Sequence, residues 1–352
     1  MKISNVASIV NTKIDASILT THTYISTECM LPNCGGIENC SSIPNGKVTS
    51  FDKNDILLSN IRPYFKKLWF STRSGGCSND VICLRVANRE CLPMYLYYAL
   101  CTDKFIDSFS ASSKGTKMPR GDKNALLAYE IPDRNIEDQR HIVDILGSID
   151  EEIENNEQLI NIFENLAAKK YLDFANKTST KIKLEDVIEL FDSKRIPLSS
   201  REREQRKGIY PYYGATGILD YVNGFLFSGE YVLFAEDGTV TDTNGHPIVQ
   251  LVNGSFWVNN HAHILKGKNG WNDYTLYVAL KQINVDKAVT GAVQPKINQA
   301  NLLSLEIPNL SNNNLQTINT ELDIVFHKVF HLRSENKKLQ ELKELYLKKF
   351  FE

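Results

Sequence analysis

Basic and aromatic side chains are interleaved in one short stretch of the sequence, DILLSNIRPYFKKLWFS, which covers residues 55–71. Arg62, Lys66 and Lys67 lie there among four aromatic residues. Lysine and arginine side chains bind phosphate oxygens, and the planar guanidinium group can also hydrogen-bond to the edge of a guanine base. The stretch therefore indicates contact with a nucleic acid, although a strand and turn with solvated lysines would have the same composition.

Other polar segments have the same chemical character. Two of them correspond in the two halves of the chain: the Gly- and Ser-rich SSKGTKMPR at 112–120 and DKAVTGAVQPKI at 286–297. Loops held by a rigid scaffold often carry recognition residues. The densest basic stretch, SKRIPLSSREREQRKG at 193–208, contains interleaved glutamates, so its middle fits a solvated segment equally well. Asn260 and His261 could hydrogen-bond to base edges or could satisfy backbone groups beside a strand.

These segments give a set of predicted DNA contacts that rests on charge and position alone. The predicted contacts are Asn60, Arg62, Lys66, Lys67, Lys114, Lys117, Arg120, Lys194, Arg195, Asn260, His261, Gln294 and Lys296.

The local motifs of common catalytic sites are absent from the sequence. It contains no Gly-rich phosphate loop, no GxGxxG, no GxSxG and no Asn/Asp-Pro-Pro-aromatic tetrapeptide of an amino-methyltransferase. His327 and His331 are four residues apart but do not form HExxH. The ELK triplet at 341–343 resembles a nuclease motif, yet it lies in a helical pattern. We therefore predict no catalytic residue and no metal ligand.

Length and cysteine content limit the class of protein. A chain of 352 residues exceeds the usual size of a single core and predicts at least two domains. All seven cysteines lie in the first third, and their odd number and irregular spacing favour free thiols. A zinc site formed by Cys29, Cys34 and Cys40 is the alternative. No apolar run is long enough to cross a membrane and the N-terminus does not resemble a signal peptide, so we expect a cytoplasmic location.

Charge is unevenly distributed along the chain, whose net charge is -2. Residues 137–176 carry ten acidic and three basic side chains, whereas the remaining segments together are mildly basic. This distribution permits the binding of a polyanion without requiring it.

An internal repeat divides the sequence. GTKMPRGDKNALLAYEIP at 115–132 aligns without gaps to GAVQPKINQANLLSLEIP at 291–308, with seven identities in eighteen positions and an offset of 176 residues. KISNVASIVNTK at 2–13 likewise resembles KLEDVIELFDSK at 183–194. Each half therefore reads as a strand-rich domain, an EIP turn and a long helix.

The two segments that follow the EIP turns have heptad periodicity. Apolar residues recur in steps of three and four from Ile142 to Phe174 and from Ile318 to Phe350, with an asparagine in each series. When the two segments are paired antiparallel with Asn156 opposite Asn336, the two residue numbers of every facing seam pair add to 492. We predict an antiparallel coiled coil about 48 Å long, at roughly 1.5 Å per residue. In the alternative, each helix packs on its own domain.

The predicted architecture is α+β, with two pseudo-repeated mixed α/β domains separated by two long antiparallel helices. The domains cover residues 1–132 and 179–308, and the helical segments cover residues 133–178 and 309–352.

The sequence resembles the specificity subunits of type I restriction-modification systems over nearly its whole length. The resemblance rests on DILLSNIRPYFKKLWFS, GTKMPRGDKNALLAYEIP, RIPLSSREREQRKGIYPYYGATGILDYV and GEYVLFAEDGT. It implies that each domain reads one half of a split site in double-stranded DNA. It also implies that the helices act as a ruler and bind two modification subunits, and that a restriction subunit, which translocates, can join.

The resemblance further implies that the subunit itself binds no cofactor. S-adenosylmethionine, ATP and Mg²⁺ would lie on the partner subunits. The first domain lacks the PLSS…PYYGATG pattern, so its loops need not match those of the second. Two alternatives remain open at this point: a nuclease or methyltransferase with an unrecognised site, and a scaffold that binds only proteins.

Overall fold

A computed structural model describes residues 1–113, 115, 118–291 and 293–352. Two compact units make up the chain. The first consists of Met1–Glu154 and Asn336–Glu352, and the second of Asn155–Glu335. Both unit boundaries fall within long helices, so each unit includes part of both helical segments. None of the helices in the described ranges is long and apolar enough to span a bilayer.

The first unit contains two four-stranded sheets. Its strands are β1 Ala7–Ile9, β2 Lys13–Asp15, β3 Tyr24–Ile25, β4 Lys47–Phe51, β5 Ile56–Ser59, β6 Leu68–Phe70, β7 Gly75–Cys77 and β8 Val81–Val86. Its helices are α1 Ile3–Val6, α2 Pro93–Leu100, α3 Asp103–Ala111, α4 Lys123–Ala128 and the start of α5 Ile136–Ala175. One sheet has the order β1-β8-β5-β6 and the other β2-β4-β7-β3. Strand β5 is buried along its whole length, as the apolar run Ile56 to Leu58 predicts for its first three residues.

The second unit has the same kinds of element in a similar order. Its strands are β9 Lys181–Lys183, β10 Ile188–Leu190, β11 Lys207–Tyr213, β12 Ile218–Val222, β13 Phe227–Ser228, β14 Tyr231–Ala235, β15 Val249–Val252, β16 Ser255–Val258, β17 Ala262–Gly267 and β18 Glu306–Pro308. Its helices are the end of α5 from Asn155, α6 Leu184–Val187, α7 Ser200–Gln205, α8 Asp273–Leu280, α9 Gln299–Ser304 and the start of α10 Asn312–Phe351. The sheets have the orders β10-β17-β14-β15, β12-β11-β16-β13 and β18-β9.

The predicted repeat is confirmed in one sheet of each unit. The order β1-β8-β5-β6 corresponds to β10-β17-β14-β15, and every strand pair in both sheets is antiparallel. The register of the central strand pair also agrees. The last residue of β5, Ser59, pairs with the first residue of β8, Val81, and the last residue of β14, Ala235, pairs with the first residue of β17, Ala262. The other four-stranded sheets differ in strand order and pairing, so the repeat conserves one scaffold and varies the remainder.

Within each unit the long helices pack antiparallel. In the first unit, Lys343 contacts Asp150 at 2.5 Å and the side chain of Asn336 donates to the carbonyl oxygen of Ile153 at 3.3 Å. In the second unit, Lys170 lies 2.8 Å from Glu321, Arg333 lies 2.7 Å from Glu164, and Asn156 donates to Glu335 at 3.3 Å. The residue numbers of these pairs add to values within five of the predicted 492.

The structure combines parts of both interpretations of the long helices, the antiparallel coiled coil and the packing of each helix on a domain. The apolar seam faces the neighbouring helix, and the same seam also enters the core of the adjoining domain. In the first unit, Ile142, Leu146 and Leu347 are buried in one cluster with helix α2. In the second, the ring of Phe326 stacks on that of Tyr274 of helix α8, with centroids 5.3 Å apart.

The prediction of free thiols is wrong for two of the seven cysteines. Cys29 and Cys40 form a disulfide, with their Cα atoms 5.2 Å apart. A backbone hydrogen bond from Glu38 to Cys29 folds the intervening segment back, which brings the two residues together. The disulfide also removes two of the three thiolates that the alternative zinc site would need, and the Sγ atom of Cys34 lies 3.1 Å from that of Cys101.

Candidate nucleic-acid interface

The same backbone junction occurs once in each unit, at the end of strand β5 and at the end of strand β14. In the first unit, Asn60 N donates to Asp80 O, Gly121 N donates to Asn60 O, and Arg62 N donates to Pro119 O, at 2.8, 3.1 and 2.9 Å. In the second unit the equivalent bonds run from Glu236 N to His261 O, from Ile297 N to Glu236 O and from Gly238 N to Pro295 O, at 2.8, 2.9 and 3.0 Å. The two junctions therefore use equivalent backbone positions, and the predicted contacts Arg120 and Lys296 occupy one such position in each unit.

The junction draws together three segments that are distant in the sequence. Isolated bridges join Ile61 to Arg120 in the first unit and Asp237 to Lys296 in the second. The helix that follows each bridge begins at a side-chain cap, Asp122 for α4 and Asn298 for α9. These caps fix where each helix begins after its bridge.

In the first unit the junction carries both exposed and buried polar groups. Arg120 donates to the carboxylate of Asp80 at 2.8 Å, and more than half of the arginine side chain stays exposed. Asn60 is only 8% exposed, and its Oδ1 atom has no hydrogen-bond partner among the described residues. An orphaned buried oxygen is costly, so this asparagine is a candidate for a positioning role rather than a direct contact.

The basic residues around the recognition turn, which we define as residues 62–66, have different environments. Arg62 is exposed. Lys66 is half-buried and forms an ion pair with Asp103 at 2.8 Å. The ammonium group of Lys67 donates to the carbonyl oxygen of Thr27 at 2.8 Å. The structure thus leaves Arg62 most accessible, while both lysines already have protein partners. Lys114 and Lys117 lie outside the described residues.

A buried network of charges supports the junction of the second unit. Arg195 donates to Glu236 at 2.7 Å, and Lys296 approaches the other oxygen of that carboxylate at 3.0 Å. His263 is 1% exposed and its Nδ1 atom lies 2.5 Å from Asp192. The network joins residues that follow strands β10 and β14 to Lys296 in the loop before α9. These residues are too far apart in the sequence to form a local motif.

The carboxylates of this network are held in their charged form. Burial alone would raise the pKa of Asp192, but hydrogen bonds from His263 and from a backbone N–H outweigh burial and lower that pKa. Burial also opposes ionisation of Glu236, and the hydrogen bond from Arg195 together with nearby positive charge lowers its pKa. The cationic partners therefore compensate both buried negative charges.

Asp192, Glu236 and His263 also have the residue types of a metal site, since their potential ligand atoms all lie within 4.8 Å of one another. The Nε2 atom of His263 lies 2.9 Å from the carbonyl oxygen of Ile297, which can only accept, so Nε2 donates. Its Nδ1 atom lies 2.5 Å from Asp192. Arg195 and Lys296 already contact the carboxylates of Asp192 and Glu236, so the arrangement is that of an ion-pair network.

The other predicted contacts of the second unit lie at the surface or just beneath it. Asn260 and Gln294 are exposed. His261 is partly exposed and its Nδ1 atom contacts Asp237 at 2.5 Å. Lys194 is exposed with its ammonium group 4.8 Å from the ring centroid of Phe191. Arg195, by contrast, points inward.

The middle of the basic stretch at 193–208 forms helix α7. This helix fits the solvated segment that the sequence offered as the alternative to a DNA contact. Ser199 and Glu202 form a capping box at its start. Arg203 pairs with Asp220 at 3.3 Å. These contacts give Glu202 and Arg203 partners within the protein itself.

Sequence reasoning missed the acidic members of both junctions. Asp80, Asp192 and Glu236 are brought to the junctions by strand pairing across 20 or more residues, which leaves no local motif. One signal was available: Asn60 and Glu236 are separated by the same 176 residues as the aligned loops. Tyr64 and Phe65 were noted only as neighbours of basic residues, although both are exposed.

Two copies of one sheet, each ending in a junction of basic and hydrogen-bonding side chains, define a protein with two similar recognition units. The family model described as the type I restriction modification DNA specificity domain matches residues 11–164 and again residues 176–344, and the chain belongs to this family. The prediction of a type I specificity subunit, which is non-catalytic by family, is thereby confirmed.

Individual relatives match over shorter segments. A putative type I restriction enzyme specificity subunit of Haemophilus influenzae is 38% identical over 125 residues, which are 36% of this chain and 31% of that protein. The type I restriction enzyme EcoprrI specificity subunit of Escherichia coli is 26% identical over 106 residues, 30% of this chain and 25% of that protein. The matched segments thus span less than a third of each relative.

The fold is similar over the whole length to that of a solved structure. The S subunit of a type I restriction-modification system from M. genitalium is 18% identical with a TM-score of 0.56, and the match covers 100% of this chain and 95% of that one. The predicted α+β class with two mixed domains and long packed helices is confirmed.

Proposed function

We propose that this chain recognises a bipartite site in double-stranded DNA as the specificity subunit of a type I restriction-modification complex. Residues 1–132 and 179–308 act as target-recognition domains, and each reads one half-site. Residues 133–178 and 309–352 set the spacing between half-sites. The observation that carries the proposal is the junction repeated hydrogen bond by hydrogen bond in the two units, which places the basic side chains of Arg120 and Lys296 at equivalent positions.

Within this function the candidate contacts divide by exposure. Arg62, Arg120, Lys194, Asn260 and Gln294 are exposed and can reach DNA directly. The remaining described candidates support the surface from behind or contact it at an edge: Asn60, Lys66, Lys67, Arg195, His261 and Lys296. Lys114 and Lys117 complete the proposed set from the loop that contains Arg120.

The partners proposed for the chain are two modification subunits and a restriction subunit that translocates. Exposed apolar side chains on both long helices support docking there, since such residues are otherwise unfavourable in water. Leu166 in the second unit and Leu342 in the first are 38% and 40% exposed. They are separated by the 176-residue offset of the repeat, as two equivalent docking sites require. S-adenosylmethionine, ATP and Mg²⁺ are assigned to the partners, and the complex to the cytoplasm.

Methylation sequencing of cells that co-express the chain with its modification subunit tests this function. We expect methylation at one split motif only when both proteins are present. Methylation by this chain alone would favour the alternative, an enzyme with an unrecognised catalytic site. Unmethylated DNA in the presence of both proteins, with an assembled complex, would overturn the proposal.

A domain exchange tests the assignment of half-sites to domains. Replacing residues 181–308 by the equivalent domain of a relative should change one half of the methylated motif and leave the other half intact. If both halves change, the domains do not read independently.

A further inference from the structure

Two aromatic side chains stand exposed side by side on the recognition turn of the first unit. Tyr64 is 54% exposed and Phe65 is 41% exposed, and their ring centroids are 4.8 Å apart. Both rings therefore present area that a partner could cover. Exposed aromatic residues next to basic ones are typical of surfaces on which nucleic-acid bases stack.

The turn that presents these rings is firmly held. Its first residue, Arg62, donates its N–H to Pro119 O at 2.9 Å. At its other end, Asn33 N donates to Phe65 O at 3.0 Å and Cys34 N donates to Lys66 O at 2.8 Å. A rigid turn loses little conformational entropy when its side chains bind.

The backbone of the turn is strained in a way that the second unit avoids. Arg62 and Lys66 both have left-handed conformations, with φ of 48° and 53°. At the position equivalent to Arg62 the second unit has Gly238, with φ of 81°. Left-handed backbone disfavours residues that have a Cβ atom. Because glycine satisfies the same junction without this strain, the geometry points to a use for the Arg62 side chain and for the turn it begins.

We propose that Tyr64 and Phe65 stack against the bases of an opened base step in, or directly beside, the half-site read by the first domain. Arg62, exposed at the start of the same turn, supplies the positive charge that brings the rings to the duplex. Apolar and aromatic wedges of this kind enter flexible steps, where unstacking costs least. The inference rests on the DNA-recognition function proposed above.

At the equivalent turn, the described residues of the second unit carry no such aromatic pair. Thr239, Val240 and Thr241 follow Gly238 along the chain, and Val240 is 1% exposed. The distortion of the duplex by this turn is therefore expected at the first half-site.

Abasic scanning of the assembled complex tests this inference. The probes are duplexes that contain the motif identified by methylation sequencing, each with one abasic site in or beside a half-site. An abasic site at the opened step removes the cost of unstacking, so the wild-type complex should bind that duplex about tenfold more tightly than the intact duplex. Tyr64→Ala with Phe65→Ala should abolish the preference, and Tyr64→Phe should keep it.

Phe225→Ala is the matched control, since this ring of the second unit is 47% exposed. It should leave the abasic preference at the first half-site unchanged. Two results would overturn the inference while the proposed function stands: tight binding of the intact motif without any abasic preference, or a double variant that keeps the preference. A double variant that no longer assembles with the modification subunits would also overturn it, by placing the rings at a protein interface. Absence of any methylated motif is instead a failure of the proposed function.

Discussion

Arg195 and Glu236 form an ion pair of 2.7 Å in which both side chains are at least 85% buried. The pair joins the segment after strand β10 to the end of strand β14, and Lys296 reaches the same carboxylate. Arg195 was predicted from the sequence to bind DNA, and its inward orientation assigns it the support of the junction from within. In the second unit, Arg195 therefore stabilises the fold, whereas its exposed neighbour Lys194 stays a candidate for DNA contact.

Arg195→Ala should destabilise the second unit by about 3 kcal/mol, because it leaves the buried carboxylate of Glu236 without its principal partner. Urea unfolding of the full chain measures this loss. Lys194→Ala is the control, since the adjacent lysine is exposed and its removal should change the free energy of unfolding by less than about 0.5 kcal/mol. Equal effects of the two variants would contradict the buried role.

Acid should weaken the same network. The pKa values of Asp192 and Glu236 are lowered from ordinary values of 3.8 and 4.5, so the unfolded chain binds protons more readily than the folded one. Their stabilisation is therefore complete above about pH 5 and is lost as the pH falls through the lowered values, below about pH 4. Urea unfolding between pH 3 and pH 7 should show a steeper acid loss for the wild type than for Asp192→Asn. Parallel curves would contradict the prediction.

Arg62→Ala should relax specificity in the first half-site. The exposed guanidinium fork suits guanine, and loss of a bidentate base contact costs about 1–3 kcal/mol of discrimination. Binding of the assembled complex to cognate and singly substituted duplexes gives this value. The second half-site serves as the internal control. Discrimination equal to that of the wild type would return Arg62 to a structural role.

The loop that contains Lys117 and Arg120 should contribute affinity more than sequence choice. Changing both residues to alanine removes up to two phosphate contacts, so the slope of log K against log salt should fall in magnitude by up to about 1.8. The ion pair of Arg120 with Asp80 reduces the share expected from that residue. A salt series with the cognate duplex measures the slope, and an unchanged slope would remove the loop from the interface.

Lengthening the helices should change the spacer and not the bases read. Inserting four residues, about one helical turn, within 153–160 together with a matched insertion within 332–339 retains the antiparallel register. We expect a motif with a longer spacer and the same half-sites, detected by methylation sequencing. The unmatched insertion should assemble poorly. Altered half-sites with the original spacer would contradict the ruler.

The repeat and the helix pairing could be predicted because their signals are periodic and local. The 176-residue offset located the equivalent loops, and the heptad positions from Ile142 to Phe174 gave a pairing that the contacts of Asp150 with Lys343 and of Lys170 with Glu321 follow. Helical spacing fixes which side chains share a face, so a sequence pattern is sufficient for such elements. The likeness to specificity subunits was readable in the same local motifs.

Only the tertiary structure decided which polar residues work together and which way they face. Strand pairing brings Asp192, Glu236 and His263 into one buried network, and the same pairing turns Arg195 away from the surface. The Cys29–Cys40 disulfide and the left-handed backbone of Arg62 likewise depend on how a loop returns to the sheet. These relationships arise from contacts between residues far apart in the chain, where charge and spacing in the sequence do not specify a partner.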